Sequence, residues 1–267
     1  MRWYWVYDIP DWLFTLLTVL VTVAIGLGGM FATRRWVSRL HHAFSHNEMV
    51  SYYLGAVGVF YGITLGLISI GSWQTYSDVE EKATLEAASL AATWRDVSSY
   101  PEPARTVLRD YLRNYTRDVI DFAWPLQRKG ITPPTGPLGH LYFTHFEEAL
   151  NHFEPATNGQ MALHAEALRQ LNTLTTLRRL RLRSVTSGLP ASMWILVLAG
   201  AFVNLAVTWF FRANNVSVHF WMTLLLSVIL GLLIHMLAAV DNPYRGKVSV
   251  GPDAFELVYQ QLMKPDK

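Results

Sequence analysis

The sequence contains no cysteine. Disulfides, thiol catalysis and thiolate metal sites are therefore excluded. Charge is also scarce: Asp, Glu, Lys and Arg make up 16% of 267 residues, against about a quarter in soluble domains. No acid or base occurs between Glu48 and Asp78. Enzyme signatures are missing as well. There is no Gly-x-Ser-x-Gly, no phosphate-binding glycine loop and no His-Glu-x-x-His, so neither an enzymatic activity nor a cofactor is expected. The net charge of +2 offers no basic face with interleaved aromatics, and nucleic acid is not an expected partner.

Apolar residues are abundant, at 51%, and they gather toward the two ends of the chain. Four runs are long enough to cross a bilayer: Leu13–Phe31, Tyr52–Trp73, Pro190–Phe211 and His219–Val240. At 1.5 Å per residue the first covers roughly 28 Å, enough for the hydrocarbon core. Trp3, Tyr4, Trp5, Tyr7 and Trp12 precede it as an interfacial aromatic belt. That aromatic, weakly charged start and the length of the run argue against a cleaved signal peptide. Short connections pair the runs into two hairpins.

Between the hairpins the composition changes: acidic and basic residues balance, and helical periodicity predominates. Helices are predicted at Asp78–Ser99, continuing out of the second span, at Ala104–Phe122, ended by Trp124-Pro125, at Leu138–Phe153 and at Gly159–Ser187. No strand is predicted. The expected architecture is an all-α integral membrane protein, with four transmembrane helices in two hairpins flanking a helical cytosolic bundle. Its parts are an N-terminal hairpin (1–75), a soluble helical domain (76–188), a C-terminal hairpin (189–240) and a tail (241–267).

Even-numbered spans place both termini and the domain on one side. Arg34, Arg35, Arg39 and Arg212 lie on the opposite side. Arg2, Lys82, Arg178, Arg179, Arg181, Arg183, Arg245 and Lys247 lie with the domain. The larger set favours a cytoplasmic placement for domain and termini in a bacterial inner membrane.

Several clusters can be read two ways. His41, His42, His46 and Glu48 occupy the first loop, and His42 and His46 share a helical face, but no third ligand has suitable spacing, so a polar loop is favoured over a metal site. His235 lies within the fourth span, where an ionisable side chain is either functional or hydrogen-bonded to a neighbouring helix. His219, at a helix end, is expected to face water. Asp78, Glu80, Glu81 and Glu86 follow the second span and either line a vestibule or form a solvated helix start, the reading preferred for Glu80 and Glu81. Arg105, Arg109, Arg113 and Arg117 recur every fourth residue, close enough to Asp110, Asp118 and Asp121 for a salt-bridged surface. The Arg178–Arg183 run is expected at the membrane surface.

In the second span Gly55, Gly58, Gly62 and Gly66 share one helical face and are expected to pack against another helix. Beside them Val59, Ile63, Leu67 and Ile70 form an apolar strip, a candidate pore lining that gates by dewetting.

Three stretches resemble a family of bacterial membrane proteins called bestrophin-like. They are His46-Asn-Glu48 with Gly55-Ala-Val-Gly-Val-Phe-Tyr-Gly62 and Trp73-Gln-x-Tyr76; then Glu86-Ala87 with Tyr111 and Trp124-Pro125; then Arg178–Leu182 with Leu189-Pro190, Trp194 and Asp241-Asn-Pro-Tyr-x-Gly246. Ala123 departs from the family, which tends to carry an acid there. True bestrophins are pentameric anion channels whose second membrane helix lines the pore and continues into a cytosolic helical domain. The resemblance implies a ring, a pentamer by analogy, in the lipid bilayer, passing small inorganic ions and most simply anions. The alternative is a non-conducting scaffold or sensor whose helical domain binds a partner.

Overall fold

The computed structural model describes residues 7, 9–37, 39, 46–132, 139–212 and 215–263. The described residues fold into helices and contain no strand: α1 (Asp11–Val37), α2 (His46–Val97), α3 (Ala104–Asp118), a π-helical turn (Val119–Ala123), α4 (Trp124–Arg128), α5 (Gly139–Asn151), α6 (Asn158–Ser184), α7 (Ala191–Trp209), α8 (Val216–Asp241), α9 (Asp253–Val258) and a second π-helical turn (Tyr259–Met263). Helices α1, α2, α7 and α8 are long and apolar enough to cross a membrane. His41 and His42 lie outside the described residues.

The chain divides into two units, Met1–Gln74 with Gly188–Asp241 and Thr75–Ser187 with Asn242–Lys267. In the first, α1 packs against α8 and α7. The α1–α8 approach is close. A Cβ on Gly231 would overlap the Thr22 hydroxyl and the Val19 backbone. Thr22 Oγ1 donates to Ser227 O across that contact (2.9 Å), and Trp209 Nε1 of α7 donates to Gly26 O (2.9 Å). Such bonds replace those that water supplies elsewhere. Helix α2 joins through Tyr61, Leu65 and Ile68, which meet Val197, Ala201, Ile234 and Leu237.

Both ends of α7 are tied. His46 Nε2 donates to Phe210 O (2.9 Å). Asn47 donates to Arg212 O (2.8 Å) and accepts from Arg212 N–H (3.0 Å). Asp241 accepts from the Leu189 N–H and from Trp194 Nε1. The conspicuous His-Asn-Glu and Asp-Asn-Pro-Tyr stretches thus hold helix ends, where backbone groups lack intrahelical partners.

The second unit buries one apolar core. It takes Val79, Ala83, Ala87, Leu90, Trp94 and Val97 from α2, Leu108, Leu112 and Tyr115 from α3, Phe143, Phe146 and Leu150 from α5, and Ala167, Leu171 and Leu174 from α6. The three-and-four spacing of each set explains why those segments are helical. Two differences from expectation stand out. Trp124-Pro125 does not end the second helix, because the π-helical turn opens the ladder just before it. Pro125 falls in the first turn of α4, where its missing N–H leaves no bond unmade. Residues after Asp241 also enter the core: Tyr244, Val250, Phe255 and Met263 are all buried.

Candidate functional site

Helix α2 is a single 52-residue helix. Within its most apolar window only 6% of the residues are buried in the chain, against 17%, 28% and 44% for α1, α7 and α8. Its inward side, through Tyr61, Leu65 and Ile68, is covered by α7 and α8. Its outward side is not. Val59, Ile63, Leu67 and Ile70 are 56–66% exposed. Among the described residues, nothing lies within 4 Å of where a Cβ would sit on Gly55, Gly62 or Gly66, and Gly58 meets only Asn204 Oδ1 at 3.7 Å. An apolar face of this extent requires lipid or another protein surface.

The glycines that admit a neighbour inside the chain lie elsewhere. A Cβ on Gly200 would overlap the Tyr61 ring. Gly200→Ala is therefore expected to destabilise the purified protein by about 1–3 kcal/mol, as overpacking does, whereas Gly55→Ala should leave the folding of one chain unchanged. Thermal unfolding in detergent compares the two, and equal effects would refute this assignment.

The polar side chains sort as follows. His46 is spent on the Phe210 carbonyl, and no group of three metal-ligating side chains occurs among the described residues. His235 lies within hydrogen-bond reach of Thr15 Oγ1 on α1 (3.1 Å), with Asp11 Oδ1 at 3.5 Å and the Phe14 ring beside it. It is a helix-to-helix contact. His219 does not simply face water: half-buried, it donates to Thr208 O (3.0 Å).

The Arg105–Arg117 series is largely paired, Arg105 with Glu102, Arg113 with Asp110 and Arg117 with Asp121. Arg109 stacks on the Trp94 ring (4.6 Å). Asp118, by contrast, is buried rather than paired on the surface. Burial, reinforced by nearby Asp121, raises its carboxyl above the usual range, and Arg178 opposes this.

Asp78, Glu80 and Glu81 are exposed, but Glu86 is fully buried. Its partner corrects the surface reading of the Arg178–Arg183 run. Arg181 is buried and binds both carboxylate oxygens of Glu86 (2.6 and 3.2 Å). Tyr115 donates to the same carboxylate (2.9 Å), while the Trp124 and Phe255 rings cover the guanidinium. Burial alone would push Arg181 toward its neutral form, but the Glu86 carboxylate outweighs this and holds it charged. Burial and the same carboxylate push the Tyr115 phenol well above its ordinary range. Arg179 and Arg183 remain exposed, and half-buried Arg178 lies over the Phe143 ring. Periodicity could have found this cluster: Arg181 lies seven and ten residues beyond core residues Leu174 and Leu171, on the same helical face.

A family model described as a bestrophin-like domain matches residues 20–255. No curated protein matches the chain. Among solved structures, the chain is similar to a point variant of a bacterial bestrophin homolog from Klebsiella pneumoniae, at 12% identity and a TM-score of 0.70, covering 93% of this chain and 97% of that one. A zinc-phased crystal structure of the homolog from the same organism gives 11% identity and a TM-score of 0.66 over 93% and 97%. A variant described as a membrane protein gives 12% and 0.68 over 92% and 96%. At such identities the structural likeness speaks for the fold.

Proposed function

We propose, from the premise that this chain belongs to the bestrophin-like family, that it is one subunit of an oligomeric ion channel whose α2 helices line a common axis. The observation that carries this reading is the bareness of α2: the most exposed of the four membrane-capable helices turns two adjoining faces away from its own chain. In a ring, Val59, Ile63, Leu67 and Ile70 form a narrow apolar neck, and the face bearing Gly55, Gly58, Gly62 and Gly66 receives the helix of the next subunit. Five subunits are the number the family resemblance implies. The neck carries no fixed charge, so it gates by wetting and drying without selecting the sign of the ion. The subunit sits in a bacterial inner membrane with its soluble unit and both termini in the cytoplasm, the side favoured by the Lys and Arg distribution.

The test is the mass of the detergent-purified protein together with bilayer conductance. A ring of several subunits should conduct, and Ile63→Ala should raise the open fraction because a less apolar neck stays hydrated. A monomer or simple dimer would eliminate the channel, and a ring that never conducts would favour the scaffold. A reporter fused at Lys267 that works only in the periplasm would reverse the topology.

A further inference from the structure

We infer that Arg34 and Arg39, beside Trp36, bind the phosphodiester headgroup of an anionic glycerophospholipid at one end of the membrane-capable unit.

The unit made of Met1–Gln74 and Gly188–Asp241 contains no lysine, and its basic residues are all arginine. Four of them, Arg34, Arg35, Arg39 and Arg212, gather at one end. No acid occurs between Asp11 and Glu48, or between Pro190 and Asp241. Among the described residues, Glu48 is thus the one carboxylate at that end.

Contacts hold the four helix ends together there. Thr33 Oγ1 of α1 donates to Trp209 O (3.3 Å), and the Trp36 ring stands edge-on to Phe210 (6.1 Å). His46, at the start of α2, bonds Phe210 O, and His219, near the start of α8, bonds Thr208 O. Helices α1 and α7 end here while α2 and α8 begin. Their opposed backbone dipoles largely cancel, so side-chain charge sets the sign. Four guanidiniums against one carboxylate make it positive.

Arg34, Arg39 and Glu48 are exposed, and none of the three belongs to an ion pair formed among the described residues. The Arg39 N–H donates to Trp36 O (3.1 Å), closing a turn just past α1. Arg35 and Arg212 have partners within the chain and add their charge.

The apolar surface beside these charges points to a lipid rather than a soluble anion. Phe31 and Trp36 are 53% and 56% exposed, at the end of a helix apolar enough to cross a membrane. Aromatic side chains so placed sit at headgroup level. A guanidinium presents a planar fork that takes two phosphate oxygens at once, which an ammonium does not. A zwitterionic headgroup brings its own cation, which the cluster repels, so a net-negative lipid is preferred. In the orientation proposed above this end faces the periplasm, where basic residues are ordinarily scarce. A phosphate partner accounts for their presence.

The experiment titrates the detergent-purified full-length protein with phosphatidylglycerol, phosphatidylcholine or glycerol 3-phosphate, and counts bound molecules by native mass spectrometry. Phosphatidylglycerol should bind the most tightly of the three. One basic residue beside an anionic headgroup is worth about fivefold in binding, so R34Q combined with R39Q should weaken phosphatidylglycerol about 25-fold. E48Q should tighten it. R179Q combined with R183Q, at exposed arginines of the other unit, should change nothing. Should the R34Q and R39Q combination fail to fold, R39Q alone decides, since Arg39 lies beyond the last residue of α1. Equal retention of the two lipids, no loss in the Arg34 and Arg39 variants, or an equal loss in the Arg179 and Arg183 variant would overturn the site. Glycerol 3-phosphate bound as tightly as phosphatidylglycerol would make the ligand a soluble anion and overturn the lipid. None of these outcomes depends on conductance, so failure here leaves the reading of α2 standing.

Discussion

Arg181→Leu is expected to destabilise the protein by about 3–5 kcal/mol, the usual penalty for stranding a buried charge. Glu86 has no exposed surface, so its carboxylate cannot recruit water when the guanidinium is removed. The Tyr115 hydroxyl would remain as a donor, but one neutral donor does not replace an ion. Glu86→Gln should also destabilise, because it leaves Arg181 charged beneath the Trp124 and Phe255 rings. Replacing both residues with leucine should recover much of the loss, since the desolvation penalty disappears with the charges. The readout is the unfolding midpoint in detergent, where the single variants should fall by on the order of 10 °C. A single variant as stable as wild type, or a double variant no better than the singles, would show that the pair is not what holds these helices together.

A chain ending at Asp241 is expected not to fold. The segment after it supplies Tyr244, Val250, Phe255 and Met263 to the core, all at least 95% buried. Each is worth about 1.5–3 kcal/mol in apolar burial, a sum comparable with the roughly 5–15 kcal/mol that separates a typical domain from its unfolded state. Polar losses add to this. Trp124 Nε1 donates to Val250 O (3.1 Å) and Arg113 Nε to Met263 O (2.7 Å), and both donors would lose their acceptors. Phe255→Ala alone should remove about 3–5 kcal/mol. Monodispersity of the purified products is the measurement. A truncated chain that elutes like the full one would mean that the segment only decorates a core already complete.

What the sequence disclosed, and what it withheld, follow from the range of the forces involved. The spans were legible because hydrocarbon imposes a local rule: twenty apolar residues must satisfy their own backbone bonds. The amphipathic helices of the second unit were legible for a similar reason, since each carries its burial pattern within itself. Arg181 was not. A run of four arginines in six positions resembles a solvated surface and masks the inward spacing of Arg181 from Leu174, and the partner that confirms it, Glu86, lies 95 residues away. The segment after Asp241 was hidden differently. Its apolar residues are irregularly spaced because it packs as turns, the six-residue α9 and one π-helical turn, too short for a repeating face to be detected. The placement of Val59, Ile63, Leu67 and Ile70 beside Gly55, Gly58, Gly62 and Gly66 came from periodicity alone. The structure leaves both faces open, to lipid or to another protein surface.

The pairing of α1 with α8 has a consequence for how the protein is made. The hydroxyl of Thr22 finds its acceptor on Ser227, 205 positions later. At about 5–20 residues per second of translation, the first helix would wait roughly 10–40 s after leaving the ribosome before its mate is even synthesised. During that interval Thr15, Thr18 and Thr22 can turn back only onto carbonyls of their own helix, as each does in the finished fold. These self-directed bonds make the newborn segment tolerable to lipid until the last helix arrives, so hydroxyls rather than amides or acids suit a surface that must be stored before it is used.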